Sequence, residues 1–407
     1  MQDRVPMYPG RVSLTPVPGQ DGLYDMVRAD QPTQEGTPLN KATLLSDGTA
    51  AVYGLGNDAV PDDVFMILGI GAGKYGYGIT VQYPDGTPAA GLSVSGVTDR
   101  LGQPIKTDKN GFFLAVSTAT SITFSVESPY FDISGISDQI VNSTGVVTKQ
   151  TVEFAYKTYE NYVLITSSQT IQFFKDRVVD FTAVGGGGGT VGWTNAQTTS
   201  YGARSSGGGG GYVQTVLAYK VSKGERITFN IGSGGQTLSP TTPGNYVGGN
   251  GGTTKVQKNG VDFLSALGGN GGGGWLDGRS ASGNEFPAGG EGNGNGGSIR
   301  SISNTQQGEN GNNATGFIFD EQALGLAGGG GGASGPALQY PNWINYYGGK
   351  PYGANGAKYN GVRVPLIVYA PTGPGGGAGG SKGDANETGL PPAGAAGGVY
   401  IRWEVSA

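Results

Sequence analysis

Six aromatic residues crowd one stretch of the chain: Tyr340, Trp343, Tyr346, Tyr347, Tyr352 and Tyr359. Asn342, Asn345, Asn355, glycines and prolines stand between them, with neither period 2 nor period 3.6. Rigid rings beside side-chain amides make surfaces that bind sugars or proteins, because a ring gives contact area at low entropy cost. The same rings would also serve to cover the edge of a glycine layer that has no side chains of its own. Trp193 with Tyr201, and Trp275 with Phe286, stand in shorter segments and have the same two readings. Tyr400 and Trp403, near the end, read as core residues of a last strand.

Catalytic chemistry has few carriers. The 407 residues include no cysteine and no histidine. That excludes disulfides, a thiolate nucleophile, Cys-ligated metal and any imidazole base. Carboxylate pairs remain, and a glycosidase needs two of them about 5–9.5 Å apart. Asp176/Asp180, Glu285/Glu291, Asp320/Glu321 and Asp384/Glu387 are the local options, and each reads more simply as surface charge. The run Asp384-Ala-Asn386-Glu387 lacks EF-hand spacing. No catalytic residue, no cofactor and no metal site is therefore expected.

Charge and hydropathy narrow the partners. The formal net charge is −5, with the acidic excess in the first 184 residues, and neither part has the basic field that nucleic acid requires. The opening MQDRVPMYPGRV has no apolar signal-peptide core, and no stretch approaches the ~18–20 apolar residues of a membrane span. The expectation is a chain made in the cytoplasm as a soluble protein, without membrane insertion.

The elements that must position these residues divide at the glycines. Of 81 glycines, 19 lie in residues 1–184 and 62 in residues 185–407, together with all four tryptophans. Residues 1–72 predict a small α/β attachment region. It holds a hairpin of 11–17 and 23–28, a helix opening at Thr37-Pro38, and a second helix near Pro61-Asp62-Asp63. That is too little core to stand alone. Gly71, Gly73 and Gly76 fit G-x-G-x-x-G, but after a helix and before a strand, the reverse of a dinucleotide site, so a linker is expected. Residues 73–157 alternate at Ile79/Val81/Tyr83, Leu92/Val94, Ile122/Phe124/Val126 and Val152/Phe154/Tyr156, which predicts a β-sandwich.

Residues 158–407 open with three strands and then pass through glycine tracts starting at 185, 207, 248, 268, 289, 328, 373 and 394. Most steps are near 20 or twice 20, which suggests a chain crossing one glycine layer repeatedly. Ordering glycine is costly, at ~1–2 kcal/mol per residue, so these tracts need a dense net of backbone contacts. Packed three-residue-per-turn polyglycine-II helices supply one, since any Cβ would hold neighbours apart. A glycine-rich sandwich of ordinary strands is the alternative. The fold class expected is mainly β throughout.

Two resemblances follow from these motifs. Asp85-Gly-x-Pro88-x-x-Gly91-x-x-Val94, with Thr107-Asp108-x-x-Gly111-x-Phe113, resembles the carboxypeptidase-regulatory, transthyretin-like sandwich family. There the domain is a spacer or docking module. Val178-Val-Asp-Phe-Thr-Ala-Val-Gly-Gly-Gly-Gly-Gly, Ile231-Gly-Ser-Gly-Gly, Gly248-Gly-Asn-Gly-Gly-Thr-Thr and Gly394-Ala-Ala-Gly-Gly-Val-Tyr-Ile-Arg-Trp403 resemble glycine-rich domains of phage tail fibres and receptor-binding proteins. The N-terminal Glu35-Gly-Thr-Pro-Leu-Asn-Lys-Ala-Thr-Leu is similar to the opening segment of tail proteins. The resemblance implies a non-enzymatic homotrimer at the distal virion tail. Its N-terminal region would join tail or baseplate proteins, and loops between tracts would bind a bacterial surface glycan or protein. A polysaccharide depolymerase and a purely structural baseplate or collar subunit are the alternatives.

Overall fold

The computed structural model describes residues 5–7, 11–19, 22–29, 32–34, 45, 60–71, 73–157, 162–192, 203–242, 244–276, 289–292, 294–302, 305–308, 353, 371–379, 382–383 and 393–403. They form two compact units, one of residues 1–128 and 134–156, the other of residues 129–133 and 157–407. The architecture is mainly β, as composition and alternation lead one to expect, with one short helix among the described residues.

In the first unit, the short strands Val5–Pro6 and Pro32–Gln34 pair antiparallel, and between them in sequence lies the hairpin Val12–Pro16 and Tyr24–Arg28, also antiparallel. Its turn uses Gly19 and Gly22, both at positive φ. The helix Pro61–Ile70 starts on a proline, whose missing N–H costs nothing at that position. The Asp63 carboxylate accepts the Val60 N–H at 2.8 Å and pairs with Lys149. Ile70, at the end of the helix, lies over Gly76, where a Cβ would strike its side chain. The strand Tyr75–Gln82 contains Gly76 and Gly78, so these two glycines of the motif belong to the sheet rather than to the linker expected there. The helix expected at Thr37-Pro38 lies outside the described residues.

Seven strands then build the sandwich. Tyr75–Gln82 is central to a three-stranded sheet, antiparallel to Phe112–Ser117 and parallel to Val147–Glu153. The facing sheet runs Ile136–Asn142, Ser121–Val126, Ser93–Thr98, Pro104–Lys106. Period 2 puts Tyr77, Ile79 and Val81 inside, against Phe113, Ile122, Phe124 and Val126. Each such side chain contributes about 1.5–3 kcal/mol on burial.

The second unit also holds a sandwich, of two four-stranded antiparallel sheets. One runs Val163–Ile165, Gly398–Trp403, Arg177–Val184, Val213–Val221. The other runs Gln169–Gln172, Arg226–Asn230, Thr254–Lys258, Val261–Ala266. Phe173, Phe181, Ile227, Phe229, Val256 and Ile401 are fully buried between them. Trp403 joins this core against Phe131 and Phe173. Tyr400 is buried too, but on the opposite face of its strand, edge-on to Tyr162 at 4.9 Å. The order of residues 398–403 requires that split, because 400 and 403 differ in parity.

Candidate functional site

Six strands of this sandwich run directly into or out of glycine tracts. Arg177–Val184 is the clearest case. Val184 pairs with Val213, and the next residue, Gly185, donates to the Tyr212 carbonyl. From there the hydrogen-bond repeat changes from two to three. Gly185 and Gly188 donate to Tyr212 and Gly209. Gly186 and Gly189 donate to Gly252 and Gly249, and Gly187 donates to Ala395. Carbonyls follow the same rule: Gly186 and Gly189 accept from Gly269 and Gly272, Gly187 and Thr190 from Gly235 and Leu238, and Gly188 from Ala378.

One tract thus has six neighbours: 207–212, 267–272, 248–252, 232–238, 394–397 and 375–378. Those six also bond to one another in that order, closing a ring. The links are Gly209 to Asn270, Gly248 to Gly272, Gly249 to Gln236, Gly394 to Gly235, Gly375 to Ala396 and Gly208 to Ala378, each an N–H donating to a carbonyl at 2.8–3.0 Å. This is a hexagonal bundle of three-residue-per-turn polyglycine-II helices, with 185–190 at its centre. It excludes ordinary strands as the structure of these seven tracts.

The glycines are required by distance. A Cβ at any of Gly185, Gly186, Gly187, Gly188 or Gly189 would meet a neighbouring backbone carbonyl oxygen closer than 3.0 Å. Two side chains beside the tracts add hydrogen bonds of their own. Thr190 donates its hydroxyl to the Ser206 carbonyl at 2.6 Å, and the Asn250 side chain accepts the Gly271 N–H at 2.9 Å.

A small sheet forms the other side of the layer. It runs Gly244–Val247, Gly273–Leu276, Ala203–Ser205, Lys382–Gly383. Three tracts lead from it to the sandwich or back: 206–212, 248–253 and 267–272. The chain therefore leaves the layer on this far side after Gly192, Leu238, Leu276 and Gly383. The hairpin Ile299–Ile302 and Thr305–Gly308 also follows on this side, after residues 294–297. Val247 and Leu238 are exposed here, and the Tyr246 hydroxyl donates to the Thr242 carbonyl.

The sequence-derived site residues fall largely between these exits. Trp193, Tyr201, Phe286, Tyr340, Trp343, Tyr346, Tyr347, Tyr352 and Tyr359 lie outside the described residues. Trp275 is placed by its backbone in Gly273–Leu276, opposite Arg204 and Asn245. Of the sequence-derived aromatic candidates, Trp275 alone is among the described residues, so no pairing between them is described.

Two carboxylates considered for catalysis have structural tasks. Asp176 accepts the Lys223 N–H at 2.7 Å. Asp180 accepts the Ala218 N–H at 2.8 Å and binds Arg402 at 2.8 Å. Ala218 has φ of 54°, a left-handed bulge residue, and the Asp180 oxygen holds it there. The described residues contain no group of three or more acidic, His or Cys side chains placed to hold a metal.

Sequence rhythm missed one member of the ring, residues 232–238. The signal was the doubled step from 207 to 248, with Ile231-Gly-Ser-Gly-Gly directly after the strand Arg226–Asn230.

Fold and site together define a β-sandwich that carries a polyglycine-II bundle. The chain belongs to the glycine-rich domain family, whose model matches residues 165–404. No curated protein matches it.

Proposed function

We propose that the protein is a receptor-binding component of a phage tail or phage-tail-like particle, acting on a bacterial surface without catalysis. One observation carries this reading. The layer is built of backbone whose glycines have no room for a Cβ, so it is a rigid support that cannot vary to suit a ligand. Specificity then belongs to the segments that leave it, where sequence is free to change. The far-side exits after Gly192 and Leu276 lead to segments with Trp193, Tyr201 and Phe286. The longest segment between glycine tracts, residues 333–372, holds the six-aromatic cluster. Under this reading the N-terminal region joins tail or baseplate proteins, the protein is a homotrimer, and it resides at the distal virion tail.

The test is adsorption of the purified full-length protein to a panel of bacterial cells, with reducing-end sugar assayed in the supernatant. Binding without sugar release is expected. Sugar release would replace this reading with a depolymerase. Neither binding nor release across hosts that the particle infects would leave a structural subunit.

A further inference from the structure

The outer face of the three-stranded sheet in the first unit carries a groove that the packing of the sandwich does not use. Tyr77, Ile79, Val81, Phe113 and Val152 are buried in the core, so parity turns Gly78, Thr80, Phe112, Lys149 and Thr151 to the other side. Register sets them in two rows. Thr151, Thr80 and Phe112 lie side by side across the three strands, and Lys149 lies beside Gly78. The helix Pro61–Ile70 closes one end of this face, where Ile70 fills the space over Gly76. Leu114 leans to the same end, its Cδ1 3.6 Å from where a Cβ at Gly76 would stand. The groove beyond has a volume of about 570 Å³, within the ~300–1,000 Å³ of small-ligand sites.

Gly78 makes room for it. A Cβ there would stand 3.1 Å from Cε2 and 3.3 Å from Cζ of Phe112. The ring therefore leans across the middle strand into the space of the missing side chain, and a larger residue would displace it. Phe112 is half-buried, whereas Phe113 beside it is 2% exposed, so ring surface is left for a ligand. Around the ring stand groups with no task in the fold. Among the described residues, the hydroxyls of Thr80 and Thr151 and the amide of Asn110 have no protein partner. Asp108 uses one carboxylate oxygen for the N–H groups of Asn110 and Phe112, at 2.8 and 2.9 Å. Its other oxygen is left to accept.

These groups select a ligand class. An aromatic ring attracts the C–H face of a pyranose through its negative quadrupole. Hydroxyls, an amide and a carboxylate oxygen at its border match the donors and acceptors of sugar hydroxyls. Charge argues against an anion. Lys149 is the only cation among the described lining residues, its ammonium is paired with Asp63, and Asp108 adds a negative charge. A peptide strand would need the unpaired backbone of a sheet edge, and the strand that floors this groove is hydrogen-bonded on both sides. We propose that the groove binds a neutral glycan, with one pyranose on Phe112 and its hydroxyls held by Thr80, Thr151, Asp108 and Asn110. The first sandwich is then a sugar-binding module in its own right. It is an accessory contact, with one ring against six in the aromatic segment of the second unit.

A panel of immobilised oligosaccharides, neutral and acidic, tests this with the full-length protein. The neutral set is built from glucose, galactose, mannose, rhamnose and N-acetylhexosamines. Retention on at least one neutral glycan is expected, weakened about tenfold or more by Phe112→Ala. Thr151→Val keeps the shape and strand preference of its residue. It is expected to weaken the same glycan roughly fivefold, by the loss of one hydrogen bond, at an unchanged melting temperature, and it decides the matter if Phe112→Ala does not fold. With that glycan in solution, amide exchange is expected to slow at 108–112 and 149–151. Slowing confined to the second unit would overturn the proposal and leave the receptor reading in place. Retention that both variants leave intact would also overturn it, as would retention of acidic glycans only or of none.

Discussion

Asp132 and Arg177 form a buried ion pair across 45 residues of sequence, with Nε and a terminal guanidinium nitrogen both 2.8 Å from one carboxylate oxygen. The other oxygen accepts the Phe174 N–H at 2.6 Å. Neither side chain has appreciable exposure. The pair anchors residues 129–133 to the second unit, where Phe131 meets Trp403 at 5.3 Å between centroids. Beside it, burial lowers the pKa of the Lys157 ammonium, while the Asp132 charge opposes that shift. Removing one partner would leave an uncompensated charge in the interior, which typically costs about 3–5 kcal/mol. Asp132→Ala is therefore expected to lower the stability of the second unit by that amount in chemical denaturation. A change under 1 kcal/mol would show that the pair is not a structural anchor.

The central glycine tract makes a sharper claim. Gly188→Ala places a Cβ against the Asn270 carbonyl, and Gly187→Ala places one against that of Gly376. Neither neighbour can withdraw without breaking the ring. Each change is expected to cost ~3 kcal/mol or more, at or above the upper range for overpacking. Asn250→Ala is the control, because that position already carries a side chain and loses only its bond to the Gly271 N–H, ~1 kcal/mol. Equal melting temperatures for the alanine variants and the native protein would refute the hexagonal packing.

The acid limb of stability gives a third measurement. Burial pushes the Glu225 carboxyl up, but hydrogen bonds from Lys258 and the Ser222 N–H, with the Lys258 charge, outweigh it and leave the pKa below its ordinary value. The folded form therefore binds this proton less readily than the unfolded form. Its contribution is complete above the ordinary glutamate value of ~4.3 and is lost as pH falls through the lowered one. Asp262, held by Lys255 and Gln257, acts in the same direction. Glu225→Gln is expected to flatten the fall in melting temperature below pH ~4.3 while leaving the slope near neutrality unchanged. An unaltered acid limb would show that other carboxylates govern it.

Much of this architecture was readable in the sequence, for physical reasons that differ along the chain. Ile79, Val81, Ile122 and Phe124 announce strands because burial selects every second residue. Gly185 to Gly189 announce close packing because nothing else explains five ordered residues without side chains. The lattice itself was not readable. Which tract meets which depends on partners up to about 200 residues away, as with Gly187 and Ala395, and glycine carries no pairing code. Residues 232–238 fall outside the rhythm of tract starts because Ser233 and Gln236 break the run. The aromatic candidates stand where composition is irregular, and their types suggest a contact without fixing its geometry.

The N-terminal hairpin offers a fourth test. Register puts Val12, Leu14 and Pro16 opposite Arg28, Met26 and Tyr24. Leu14, Tyr24 and Met26 are more than half exposed. A lone two-stranded hairpin is marginal in water, and an apolar face of this kind suits assembly. The expected species is a homotrimer in sedimentation velocity, and Leu14→Lys with Met26→Lys is expected to shift it toward monomer. A native chain that sediments as a monomer at micromolar concentration would remove the trimer from the proposed function.

The aromatic cluster carries the last prediction. A glycine layer cannot supply contact side chains, so a receptor must be met by the segments between glycine tracts, and residues 333–372 are the longest of these. Rings that bind a receptor form hot spots, each worth ~2 kcal/mol or more on truncation, roughly 30-fold in affinity. Trp343→Ala combined with Tyr347→Ala is expected to abolish adsorption while circular dichroism and sedimentation remain native. Multivalent display would deepen the loss beyond the product of the two. Normal adsorption would exclude these rings from the contact and shift attention to Trp193, Tyr201, Trp275 and Phe286. Loss of the native fold would instead mean that the rings cover the layer's edge, because a side chain needed for solubility of the backbone lattice cannot be removed without exposing it.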